Sequence, residues 1–353
     1  MRRTGSAATL LACALIVACG PRDPLANPPD RLSDLDLFVG DVHEHRPAPG
    51  VMPYDVTTPL FSDYSHKFRF IRLPRDGSTA LPLVYDAEET FDLPVGTLLS
   101  KTFSYPVDAR NADKGWRHLE TRLLIRGAKG WGALTYVWNR GQQDGYLEVA
   151  GDDQVVSWID GTGAVRVNDY MVPNTNQCAQ CHNMNGEMVP IGVKARFLNK
   201  DFDYEDGTRN QLDHWRDHGM LDGLPDVGRT AGLAVWDDPA TGSVKDRARA
   251  YLEANCAHCH SPGASAWNTG LDLRASTTDP SLLGVYKTAS AAGRGTSDRR
   301  YDIVPGRPDA SILLYRLISK EPDVAMPELA RRDVDREGVA LVRRWIEEMP
   351  EID

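Results

Sequence analysis

Two pentapeptides constrain this 353-residue chain more than anything else in it: Cys178-Ala179-Gln180-Cys181-His182 and Cys256-Ala257-His258-Cys259-His260. Two thiols three residues apart can each add to one vinyl group of a porphyrin. The histidine that follows then falls under the iron as its proximal ligand. One bare Cys-x-x-Cys would equally suit a zinc half-site or a redox pair. Here two copies use every cysteine beyond Cys19. The pattern therefore predicts two covalently bound haem c groups, attached through Cys178, Cys181, Cys256 and Cys259 and ligated by His182 and His260. With those four thiols committed and Cys13 and Cys19 in the leader, no disulfide is expected.

Residues 1–18 read as an export signal: Arg2 and Arg3, then an apolar run from Ala7 to Val17 that is too short to span a bilayer. The end of this leader, Leu15-Ile16-Val17-Ala18-Cys19-Gly20, resembles the lipobox of bacterial lipoproteins. That resemblance implies cleavage before Cys19 and lipidation there. With Gly20 next in line, it also implies a periplasmic protein anchored to the outer membrane. Several acyl chains hold a protein to a bilayer far better than one. Residues 19–49 are expected to serve as lipid anchor and tether, with prolines at 21, 24, 28 and 29 keeping the start extended. The net charge of −10 becomes more negative by two when the leader is lost, which argues against nucleic acid as a partner.

Residues 50–170 have a different texture. Lys67 to Leu73 alternates in strand fashion and stops at Pro74. Short β runs follow at Leu81–Tyr85, Gly96–Tyr105, Leu119–Arg126, Ala133–Trp138, Tyr146–Val149 and Val155–Ile159, parted by turn pairs such as Asp76-Gly77 and Asp160-Gly161. Seven such runs predict an all-β, sandwich-like domain, with Trp116, Trp131, Trp138 and Trp158 in its core or at its ends. His43, His45, His66 and His118 lack a metal-ligand spacing and read as solvated loop residues.

The first haem segment is assigned to 171–240. Its distal iron ligand is open: Gln211 to Gly219 reads as a short helix carrying His214 and His218, with Met220 just past its end. Met220, His214 and His218 are the candidates, with Lys194, water or a vacant position as the alternative. The second haem domain is assigned to 241–353. Ser243 is placed to cap a helix leading into Cys256, and Asp333 to cap a C-terminal helix with Leu341, Val342, Trp345 and Ile346 on one face. Ala325-Met326-Pro327 lies between them and resembles the distal-ligand segment of class I cytochromes c. The resemblance implies that Met326 binds the second iron opposite His260 and that this domain is mainly α. Arg294, Arg299 and Arg300 are candidates to neutralise haem propionates.

A broader likeness covers most of the chain. Tyr54 to Tyr64 (YDVTTPLFSDY), Phe91 to Thr97 (FDLPVGT), Glu120 to Leu124 (ETRLL), Asn255 to His260 (NCAHCH) and Tyr301 to Gly306 (YDIVPG) resemble, in order and spacing, the SO2930-type family of dihaem c-type cytochromes. It implies an exported dihaem electron carrier with an uncharacterised β-rich domain. Mainly α haem domains follow that domain in the expected fold, and redox proteins of the cell envelope are the expected partners. Two other functions stay open on the residues alone: a dihaem peroxidase or oxidase with an open first haem, and a β-domain binding module wired to haems.

Overall fold

The computed structural model describes residues 24–290, 292–329 and 331–351. The leader and Cys19 lie outside the described residues. The frame of the protein is one antiparallel sheet of six strands: β1 (Val51–Tyr54), β2 (His66–Arg72), β3 (Leu98–Pro106), β4 (Trp116–Gly127), β5 (Gly130–Trp138) and β6 (Gly145–Leu147). Each strand pairs with the next in the chain, so the sheet is a plain meander. A separate hairpin, β7 (Asp152–Ile159) with β8 (Val165–Val172), packs Val156, Tyr170 and Val172 onto Phe103, Tyr105 and Leu119.

Because side chains alternate along a strand, the sheet has two distinct faces. Phe70, Leu98, Leu123, Ile125 and Tyr136 belong to one face, and the N-terminal segment covers it with Leu32, Leu35, Leu37 and Phe38. Packing by residues 25–38 means that the expected tether over 19–49 is in large part a folded cover. The neighbouring positions Ile71 and Leu99 belong to the other face, which is covered by Val193, Phe197, Leu212, Trp215 and Met220.

Those coverings overturn the expected architecture. The strands form close to where their alternation predicts, yet among the described residues the sandwich's second layer is reduced to the two-stranded hairpin β7–β8; irregular segments and short helices fill most of both faces instead. Nor are the haem segments mainly α. The described residues hold six short α-helices: α1 (Thr175–Cys181), α2 (Ala195–Leu198), α3 (Gln211–Asp217), α4 (Val244–Leu252), α5 (Ile312–Ile318) and α6 (Arg336–Glu347). Helical periodicity is confined to these stretches, and the glycines, prolines and aspartates between Ser261 and Pro308 hold most of the intervening chain in turns. The segment 171–240 is also no separate domain, since its apolar residues complete the core of the sheet.

The C-terminal region keeps its own core. Ala248, Tyr251 and Leu252 of α4 meet Leu341, Val342, Trp345 and Ile346 of α6, with Leu314 and Leu317 of α5 beside them. Ser243 caps α4 through a reciprocal pair with Asp246, as its position predicts. The cap of α6 is Asp335 rather than Asp333; the Asp335 side chain accepts from the Gly338 amide at 2.9 Å. Gly338 is the crossing point, where a Cβ would collide with the Tyr251 ring. Asp63 ties the two regions by accepting from the amides of Arg332 and Asp333 at 2.7–3.0 Å. No helix among the described residues is long and apolar enough to cross a membrane.

Candidate haem-attachment centre

The first pentapeptide is borne on α1. Asn174 and Gln177 close a capping box at its start, which fixes the direction in which Cys178 and Cys181 leave the backbone. His182 ends the helix, its amide bonded to the Cys178 carbonyl at 2.9 Å. Its ring nitrogen Nδ1 lies 2.8 Å from the Val189 carbonyl. A carbonyl only accepts, so Nδ1 carries the proton and Nε2 is left as a free donor. Burial first, and then the charge of Lys101, push the His182 pKa down to about 3.

The second pentapeptide continues α4. The helix widens over Glu253–Ala257 into a π turn, and Cys256 emerges buried. Such widened turns recur at functional sites. His260 Nδ1 lies 3.1 Å from the Thr269 hydroxyl, which itself donates to the Ala266 carbonyl at 2.8 Å. The hydroxyl therefore accepts from the ring, and Nε2 is again free. Burial lowers the His260 pKa to about 4 and raises the Cys256 thiol to about 12.

A cavity of about 600 Å³ is lined by Cys256, Cys259, His260 and Met326, with apolar walls that include Leu271, Leu273 and Ile312. That is within the size range of cofactor sites. The structure thus brings the predicted pair His260 and Met326 to one cavity. A smaller cavity, about 150 Å³, is lined by Cys178, Cys181 and His182 together with Arg69, Lys101 and Arg122.

The candidates for the first distal position are not in that smaller cavity. Met220 is buried in the core of the sheet, its amide donating to Trp215. His214, buried, and His218, exposed, gather near Asp206 and line neither motif's cavity. Lys194 pairs with Glu89 at 3.3 Å and lines a neighbouring cavity. The three arginines expected near propionates are engaged at the surface: Arg294 with Asp323, Arg299 with the Asp309 carbonyl and Tyr315, and Arg300 over Tyr301. Arg316 lines the larger cavity instead.

Sequence reasoning missed the charged row beneath the first pentapeptide. Arg69 opposes Lys101 on the next strand, and Lys101 opposes Arg122, so all three share the sheet face that carries Ile71 and Leu99. Lys67 lies two residues before Arg69 on the same side and is buried. Burial pushes the Lys67 amine well below its ordinary range. Against this basic row stand Asp55, 2.6 Å from Arg69, and Glu120, which grips Arg122 at 2.5 and 2.7 Å. Burial first, then Arg122 and Arg69, bring the Lys101 amine down to about 7. An excess of covered positive charge calls for anions, and a haem carries two carboxylates. Lys67-x-Arg69 in a strand was the available signal, since alternate residues share a face.

The histidines read as solvated are also different. His45 and His118 are buried, their ring centroids 4.3 Å apart, and His118 bonds to Ser104 at 2.6 Å and to the His43 carbonyl at 3.0 Å. Trp138 is core beside them, while Trp116, Trp131 and Trp158 are half-covered. His45 and His118 are packing groups of the sheet, whereas His43 is half-buried and His66 is exposed.

The two pentapeptides meet. Donor atoms of Cys181, His258 and Cys259 lie within 4.8 Å of one another, and Asn185 donates to the Gly263 carbonyl at 2.7 Å alongside. A hydrogen bond between Cys181 and Cys259 favours the thiolate of Cys259 and holds the Cys181 thiol up. His258 Nδ1 is buried at this junction without a hydrogen-bond partner. Paired thiols, free Nε2 donors, a cavity holding Met326 and a cationic floor together fit covalent haem. Comparisons with protein-family models, curated proteins and solved structures found no match to this chain.

Proposed function

We propose that the chain is an exported dihaem c-type cytochrome, lipid-anchored to the outer membrane through Cys19, that carries single electrons between redox proteins of the cell envelope. The observation that carries this reading is the junction of the two pentapeptides, with Cys181 and Cys259 donors within 4.8 Å. Two groups attached at adjacent sulfurs would lie close enough to share electrons in series. Haem supplies one-electron iron chemistry. The chain's own residues do the rest: Val189 and Thr269 set the tautomers of His182 and His260, and Met326 offers a soft thioether that favours the reduced metal.

A second reading, a peroxidase- or oxidase-like enzyme with an open first centre, is favoured by one observation. Met220, His214 and His218, the candidates for its distal ligand, do not line the His182 cavity. Intact mass and electron paramagnetic resonance of the purified protein test both. Mass raised by two haems and two low-spin signals support the carrier. One high-spin signal supports the enzyme. Free thiols at Cys178 or Cys181 would remove the first centre altogether.

A further inference from the structure

His214 and His218, singled out by their helical spacing, converge on a different partner. Asp206 sits in the turn between Asp201–Tyr204 and Gly207–Asn210, and Asn210 then caps α3, so the turn and the helix are held in fixed register. His214 and His218 stand one turn apart with ring centroids 4.1 Å from each other. The His214 ring lies flat on Tyr204 at 3.6 Å, is only 3% exposed, and has a buried Nδ1 with no hydrogen-bond partner. His218 Nδ1 donates to the His214 carbonyl at 2.8 Å, which leaves its Nε2 as a lone-pair donor. Donor atoms of Asp206, His214 and His218 all lie within 4.8 Å of one another.

We propose that Asp206, His214 and His218 bind one divalent late transition-metal ion, of the Zn²⁺ and Cu²⁺ class. Two imidazoles and one carboxylate suit borderline metals, whereas Mg²⁺ and Ca²⁺ take oxygen ligands. Ligands about 2.1 Å from a shared ion stand at most about 4.2 Å apart, so a small inward turn of the exposed Asp206 and His218 side chains completes the set. Water fills the fourth position. None of the three residues lines the cavities of the Cys-x-x-Cys-His motifs, so the site stands whether or not haem is attached.

The test uses the full mature protein, stripped with a chelator and titrated with Zn²⁺ by calorimetry, with bound metal counted by mass spectrometry. One Zn²⁺ per chain is expected, uncompeted by Mg²⁺. His218→Ala and Asp206→Asn, both at exposed positions, should each weaken binding by more than the roughly 10–100-fold typical of disturbing an outer-shell partner. His214→Ala should do the same where it folds. His43→Ala, remote from the site, should bind as wild type. Absence of a Zn²⁺ isotherm, or binding that survives both His218→Ala and Asp206→Asn, overturns the proposal.

Discussion

The same pentapeptide is held in two unlike ways. The first copy rides on a short capped helix, faces a sheet, and looks onto a buried row of cations. The second ends a longer helix inside an apolar three-helix core and opens onto a roomy cavity that Met326 shares. One is governed by charge and the other by apolar packing. The contrast teaches that one local motif can be set on unlike ground, and that the ground would set the environment of any group attached there.

The sharpest way to break the comparison is at Met326. Met326→Ala should leave both attachments intact, turn the second centre high-spin, and lower its potential by a sizeable part of the roughly 0.8 V that axial ligation commands. The first centre should titrate as before. A redox titration that shows both centres shifted equally, or neither, would mean that Met326 is not a ligand. Met349→Ala, at the edge of the α4–α6 core, should cost stability alone.

Glu120 tests the charged side. It is fully buried, grips Arg122 and accepts from Tyr170 at 2.6 Å. Glu120→Ala leaves Arg122 an unpaired buried charge and should destabilise the sheet side by about 3–5 kcal/mol. Urea melts followed by tryptophan fluorescence would report it. A loss under about 1 kcal/mol would show that the cationic row is neutralised by other anions.

Acid should discriminate the regions next. The His118 pKa is pushed down to about 4, chiefly by burial, and that of His45 well below its usual value for the same reason. The unfolded chain takes up these protons near pH 6.5 and the folded chain does not. Stability should therefore fall as pH drops from about 6.5 to 4, by roughly 3 kcal/mol for His118 alone. In the C-terminal region His260 is also lowered to about 4, but the sheet side holds both His45 and His118, so acid should loosen the sheet side further. Hydrogen exchange at pH 7 and 4.5 would read the order, and equal loosening in both regions would refute it.

The smallest effect is expected at Gly338. Gly338→Ala places a methyl against Tyr251 and should cost about 1–3 kcal/mol by overpacking the α4–α6 crossing. Its readout is a lowered melting temperature with the first centre's spectrum unchanged.

Much of this was legible in the chain itself. The Ser243 cap and most strand positions follow from spacing over a few residues, where covalent geometry alone decides which side chains share a face. Met326 could be nominated because a methionine before a proline and ahead of an amphipathic helix is a local pattern. The sandwich and the mainly α haem domains were misjudged for a related reason. Alternation reveals that a strand has a buried face but not what buries it, and here Leu32 and Leu37 on one side and Phe197 and Trp215 on the other do so.

What only the tertiary structure decided are contacts between distant residues. Cys181 reaches Cys259, Arg69 lines up with Lys101 and Arg122, His45 packs against His118, and His214 turns to Asp206 and away from His182. The entropy of closing a loop grows only slowly with its length, so chain separation hardly discriminates among possible partners. The choice falls to whichever faces bury the most apolar surface while pairing their charges, and that is a property of the whole folded chain.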